Sequence, residues 1–126
     1  MPKTVVYSAL APEPIGPYSQ AIHIGNMLFI SGQIAIQKPS GNLITQNIVD
    51  ETTQVMLNLA AILKAADMDF SNVVKSTIFL KDFNDFANVN EIYGKCFPQN
   101  PPARETVEVS RLPKDVNVEI SCIAIK

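Results

Sequence analysis

An arginine that opens a predicted strand directly after two prolines is the residue best placed for chemistry. Arg104 follows Pro101-Pro102-Ala103, so stiff neighbours hold its backbone. Its planar guanidinium can grip a carboxylate through two parallel charge-assisted hydrogen bonds, each worth about 1.5–3 kcal/mol; a solvated or purely structural arginine is the plain alternative. Glu119 lies in Val118-Glu119-Ile120-Ser121-Cys122-Ile123, where alternation sends Val118, Ile120 and Cys122 to one face and Glu119, Ser121 and Ile123 to the other. It is either a charge on a half-exposed sheet or, if buried, a carboxylate that orients or activates a water, because burial without partners is costly. Asn90 follows Phe86 and precedes Tyr93 at helical spacing, which puts it on an apolar stripe. An amide there is satisfied by neighbouring backbone, or offered to a ligand or to a loop that holds one. Phe29-Ile30-Ser31-Gly32-Gln33 ends a strand in Ser-Gly, where glycine permits close backbone approach and serine supplies a hydroxyl, although a simple turn or bulge reads the same way. Tyr18, in Ile15-Gly16-Pro17-Tyr18-Ser19-Gln20, adds a rigid aromatic with a polar tip, suited to packing or to recognition.

Other chemistries find no residues to carry them. His23 is the only histidine, and no serine or cysteine stands at a spacing that would make a nucleophile pair with it. Cys96 and Cys122 are isolated in apolar patterns and read as structural thiols, which suits a reducing cytosol. HExxH, paired cysteines and clustered carboxylates are absent, as are GxGxxG and a Walker loop, so neither a metal nor a nucleotide cofactor is expected. The ten Lys and Arg are scattered from Lys3 to Lys126 and the net charge is −2, which counts against nucleic acid as a primary partner, since phosphate binding needs a dense basic stripe. The N-terminal stretch lacks an apolar core of the signal-peptide kind, and no apolar run approaches a membrane span. A soluble, cytoplasmic protein is expected.

Those side chains need a scaffold, and the patterning supplies one over residues 1–126 as a single domain. Val5 to Ser8 suits a short strand. Ala21–Ile24 and Met27–Ile30 flank Gly25-Asn26, a pair that accepts positive φ, and predict a hairpin. From Leu43 onward the period changes: Ile48, Thr52, Val55, Met56, Leu59, Leu63 and Ala66 recur at helical spacing behind Asp50 and Glu51, predicting a helix of about five turns. Val73–Leu80 is β-branched and aromatic; Asp82 to Asp85 offers caps for a second helix carrying Phe86, Val89, Tyr93, Cys96 and Phe97. Glu105–Val109 and Val116–Ile125 are strands joined through Arg111-Leu112-Pro113-Lys114-Asp115. The order β-β-β-α-β-α-β-β gives an α+β class, a mixed sheet with two helices on one face. The other face then needs cover, and a charged fraction of only 17%, against about 25% in an average domain, points to other copies of the chain.

At this point five ordered segments strongly resemble the RidA (YjgF) family: Ala11 to Ala21, Ser31-Gly32-Gln33-Ile34, Val74 to Asp82, Pro102-Ala103-Arg104, and Val107 to Val116. The resemblance spans essentially the whole chain. It implies a chorismate-mutase-like fold, a homotrimer packed around a central barrel, and three clefts between subunits. It also implies a cofactor-independent deaminase that hydrolyses reactive 2-imino or enamino acids, such as 2-aminoacrylate and 2-iminopropanoate, to 2-keto acids and ammonia. Carried over, Arg104 would clamp the substrate carboxylate, Glu119 would position the attacking water, and Tyr18, Ser31, Gly32 and Asn90 would line the cleft. Two departures stand out. Many relatives have cysteine where this chain has Thr106, which argues against thiol chemistry while leaving that position in contact with ligand. Relatives commonly have glycine after the first helix where this chain has Asp67, a residue that tolerates left-handed geometry better than most. A non-catalytic module that binds keto acids is the leading rival, and ribonuclease activity has been attached to some relatives.

Overall fold

The computed structural model describes residues 1–126. Its elements run β1 Thr4–Val6, β2 Ala21–Ile24, β3 Met27–Gln33, α1 Ile48–Ala65, β4 Val73–Leu80, α2 Phe86–Lys95, β5 Ala103–Glu108 and β6 Val118–Ile125. The predicted order therefore holds. All six strands form one sheet in the order β1-β2-β3-β6-β4-β5, antiparallel except for the parallel pair β4 and β5. No helix is long and apolar enough to cross a membrane.

Several boundaries move for local reasons. The first strand is three residues long and ends at Val6. The first helix starts at Ile48, because the Asn47 side chain accepts the Asp50 N–H at 2.8 Å and caps it; Leu43 pairs instead with Ile36 in an isolated bridge. Gly25 alone takes positive φ in the hairpin, the arrangement of a two-residue turn with glycine first. The connection before β6 turns through Lys114 and Asp115, both at a φ of 55°.

Both helices cover the same side of the sheet. Val55, Leu59, Ile62 and Leu63 of α1 and Val89 and Tyr93 of α2 share one core with Leu28, Ile30, Ile78, Leu80, Ile120 and Cys122. Strand alternation leaves the opposite side open, and there Val5, Ile22, Phe29 and Ile123 are register neighbours across β1, β2, β3 and β6. Phe29 is 40% and Val5 61% exposed, so an apolar row faces solvent on a single chain.

The end of α1 shows what Asp67 does. Asp67 N–H donates to Lys64 O at 3.0 Å and Met68 N–H to Leu63 O at 2.9 Å, the two bonds of a Schellman cap, with Asp67 at a φ of 57°. Glycine adopts this conformation without the strain a Cβ brings. Asp67→Gly is accordingly expected to stabilise the fold by about 0.5–1 kcal/mol, measured as a higher midpoint in urea with an unchanged slope. A lower midpoint would mean that the aspartate side chain contributes more than its strain removes.

Candidate functional site

Glu119 lies on the open face. β6 alternates buried and half-buried along its whole length, and Glu119 pairs with Phe79 of β4. Beside it, β3 carries a bulge: Ile30 pairs with Cys122 but Gln33 with Ile120, so Ser31 and Gly32 together oppose Ser121. The bulge brings bare backbone against the carboxylate. A Cβ built on Gly32 would stand 2.8 Å from Glu119 Cδ and 2.9 Å from Oε2. Glycine is needed here for room, and the Ser-Gly pair is a bulge with a purpose.

The neighbouring loop is tied to that bulge. Ser31 Oγ donates to Ser19 O at 2.7 Å and Ser31 N–H to Gln20 O at 2.9 Å. The buried Gln20 amide accepts from Ser8 N–H at 2.7 Å and donates to Ser8 O at 3.0 Å and Pro12 O at 2.9 Å, clipping the proline-rich segment in place. Tyr18, 47% exposed, has its hydroxyl accepting from Ile15 N–H at 3.3 Å. Ile15, Tyr18, Ser31, Gly32, Ile34, Pro113 and Glu119 line one cleft of about 340 Å³, the size of a small-molecule site. Burial pushes the Glu119 carboxyl above its ordinary value.

Arg104 lies elsewhere. Its register neighbours are Ser76 and then Cys122, which face the helices, so Arg104 and Glu119 project from opposite sides of the sheet. The guanidinium rests over the Phe86 and Tyr93 rings, 5.6 and 5.2 Å from their centroids, and Nη1 donates to Asn90 Oδ1 at 2.7 Å. Cation–π contact and one hydrogen bond orient the fork, and no carboxylate of the same chain engages it. Asn90, Tyr93, Gly94, Phe97, Pro101, Pro102 and Arg104 line a second cleft of about 450 Å³. Thr106, next on the same face of β5, keeps a buried Oγ1 without a hydrogen-bond partner.

One expectation is corrected. Asn90 is exposed and its Oδ1 accepts from the arginine side chain, because α2 overhangs the edge strand at this turn instead of packing on the sheet. Arg104 and Glu119 do not meet within one chain. Two intervening strand spacings and three residues along the strand separate them by roughly 14 Å in the plane of the sheet alone. The cysteines behave as read: burial pushes the Cys122 thiol up to about 11 and raises that of Cys96, which leaves both poor nucleophiles. Phe86 and Tyr93 form the aromatic bed of Arg104, a role the residues do not announce locally. Their spacing about Asn90 was the available signal, but not what that stripe faces.

Comparisons with known proteins place the chain among relatives of the same fold. The family model described as Endoribonuclease L-PSP matches residues 8–126. A RutC family protein of Pyrococcus horikoshii is 53% identical over 124 residues, covering 98% of each chain. The human 2-iminobutanoate/2-iminopropanoate deaminase is 46% identical over 98% of this chain and 90% of its own. Escherichia coli TdcF, solved with bound serine, superposes with a TM-score of 0.93 at 37% identity, covering 98% of both chains. With its fold and sequence shared across such coverage, the chain belongs to the RidA family.

Proposed function

We propose that this protein hydrolyses 2-imino and enamino acids, of the size of 2-iminopropanoate and 2-iminobutanoate, to 2-keto acids and ammonia, in clefts shared between chains of a homotrimer. One observation carries the reading: the chain displays a guanidinium fork that no carboxylate of its own engages in one cleft and a partly desolvated carboxylate in another, on opposite faces. Each is half of a site. A rotationally repeated interface brings the β5 and α2 edge of one copy over the open face of the next, and the exposed row of Val5, Ile22, Phe29 and Ile123 supplies an apolar surface for it to cover. The human relative's name and the serine bound to TdcF support a small amino-acid-derived ligand with a carboxylate.

The chemistry needs little beyond placement. A protonated imine carbon is already electrophilic. Arg104 holds the substrate carboxylate, Tyr18, Ser31, Asn90 and Thr106 line the walls, and Glu119 aligns a water against the C=N carbon. Water oxygen bonds to that carbon while Glu119 takes one of its protons and the C=N π pair moves onto nitrogen; that proton passes to nitrogen, and as the C–N bond breaks with its electron pair leaving on ammonia, the freed Glu119 carboxylate takes the remaining hydroxyl proton and the C=O bond forms. Positioning contributes several kcal/mol and general base help about 10²- to 10⁴-fold. No step calls for a cofactor.

The test is the lifetime of an imine made in place by an amino-acid oxidase, with semicarbazide trapping what survives. Wild type should shorten that lifetime and Arg104→Ala should not; equal clearance by both overturns the assignment. A protein that binds keto acids yet leaves the lifetime unchanged is a sensor. RNA cleavage, which the family model's description raises, has no basic stripe to support it in a chain of net charge −2.

The pH dependence follows from the Glu119 environment. Its carboxyl titrates above the ordinary 4.5 because burial disfavours the charged form, and a base works only when ionised. Activity is therefore lost as pH falls through the raised value, and the acid limb of kcat/KM should lie above pH 4.5. A limb at or below that value would assign the base elsewhere.

A further inference from the structure

Glu51 is the one carboxylate in the chain that is fully buried, at 0% exposure, and no cation stands against it. It projects from the first turn of α1 to the start of β6. Oε2 accepts the Asn117 N–H at 2.7 Å and the Val118 N–H at 3.3 Å, while Oε1 accepts Asn117 Nδ2 at 2.8 Å. Burying an unpaired charge is expensive, and these three donors are what offsets it. An apolar side chain would bury no charge but would leave the Asn117 and Val118 N–H groups without this acceptor, so the position is informative for what the carboxylate grips.

What it grips is the approach to Glu119. Asn117 and Val118 are the two residues immediately before it in the chain. The preceding turn passes through two left-handed residues, Lys114 and Asp115, and carries Pro113, which lines the Glu119 cleft. Two strained positions persist only where the surrounding structure holds them, and within the turn Arg111 Nε donates to Asp115 Oδ1 at 2.8 Å. The far end of the turn is fixed by Glu51 and by Lys81 N–H donating to Asn117 O at 3.0 Å. On the other side, bare backbone at Gly32 leaves the Glu119 carboxylate a narrow slot. The slot and the grip together determine where the carboxylate lies.

We infer that Glu51 is a positioning residue, which sets the Glu119 carboxylate against the substrate cleft by anchoring the entry of β6 to the first helix. The inference rests on the proposed role of Glu119 as the group that aligns water. A loosened anchor lets Asn117 shift, and a displacement of tenths of an ångström two residues away reaches the reacting atoms.

The experiment compares wild type with Glu51→Leu, Glu51→Gln and Asn117→Ala, each first checked for native melting and native assembly. Glu51→Leu should lower kcat about tenfold with KM little changed, because Arg104 is untouched. Glu51→Gln should stay close to wild type, since its oxygen still accepts the backbone N–H groups and the Asn117 amide can turn to meet its nitrogen. Asn117→Ala removes one of three bonds and should lower kcat about threefold; if Glu51→Leu does not fold, this variant decides. The Glu119 carboxyl carbon, followed by NMR through a pH titration, supplies a readout independent of turnover. Its midpoint should fall toward 4.5 in Glu51→Leu as the side chain leaves its slot. A folded Glu51→Leu protein that loses only thermal stability, keeping wild-type kcat and an unmoved Glu119 midpoint, overturns the inference. Should wild type fail to hydrolyse imines, the functional reading falls, and the Glu119 midpoint still decides whether Glu51 sets its place.

Discussion

Gly32→Ala is expected to lower kcat for imine hydrolysis about 10²-fold while leaving the fold almost as stable as before. The reasoning separates backbone from side chain. Gly32 does not occupy the left-handed region, so alanine brings no conformational strain there. Its methyl carbon would come within 2.8 Å of Glu119 Cδ and 3.0 Å of Cγ, a distance that forces movement. The displaced atoms belong to the end of a flexible side chain, so Glu119 swings aside at small energetic cost, and it takes the water-binding position with it. A misplacement of about 1 Å is enough for a loss of that size. Steady-state turnover of oxidase-generated imine measures the rate, and thermal melting confirms the fold. Substrate affinity should change far less, because Arg104 lies in the other cleft. Full activity in Gly32→Ala would show that the carboxylate location seen here has no part in the rate.

Much of this arrangement was legible in the residues, and the illegible part has a physical reason. Alternation within β6 places Glu119 opposite Ile120 and Cys122, and the structure agrees. Helical period places Asn90 beside Phe86 and Tyr93, again correctly. Period cannot say what a stripe faces. At Asn90 the stripe reaches past the sheet and meets the edge strand's arginine, so the amide is exposed while its oxygen holds the guanidinium. The same limit hid the separation of Arg104 and Glu119. Each strand's own alternation is local, but whether residue 104 shares a face with 119 depends on the register of β5 on β4 and β4 on β6, pairings between segments far apart in sequence. Arg104 meets Ser76, and Ser76 meets Cys122; only that chain of partners puts the guanidinium on the helix side. Glu51 escaped notice for a related reason. An acid in a helix's first turn is explained by the helix dipole alone, and nothing local announces that its partners lie 66 and 67 positions later.

That opposite-face geometry leads to the prediction with the sharpest alternative. Arg104→Ala and Glu119→Gln should each be nearly inactive as pure proteins, yet mixing the two by unfolding and refolding together should restore activity. If every site takes its arginine from one copy and its carboxylate from the next, a site works when an Arg104-intact chain meets a Glu119-intact neighbour in the correct order. Random equal mixing satisfies both conditions at about one quarter of sites, and the recovered rate should approach about a quarter of wild type. Sites built within one chain would recover nothing, since every chain in the mixture lacks one essential group. The interface must be heterologous for this to work: each copy presents its β5 and α2 edge to one neighbour and its open face to another. A paired interface between two identical patches would bring open face against open face and leave both arginines outside. Turnover measured against mixing ratio adds a shape to the test, with a maximum at equal amounts and zero at either end. A flat, inactive profile from correctly assembled mixtures would place the two halves of the chemistry in different sites, and the proposed hydrolysis would lose its geometry.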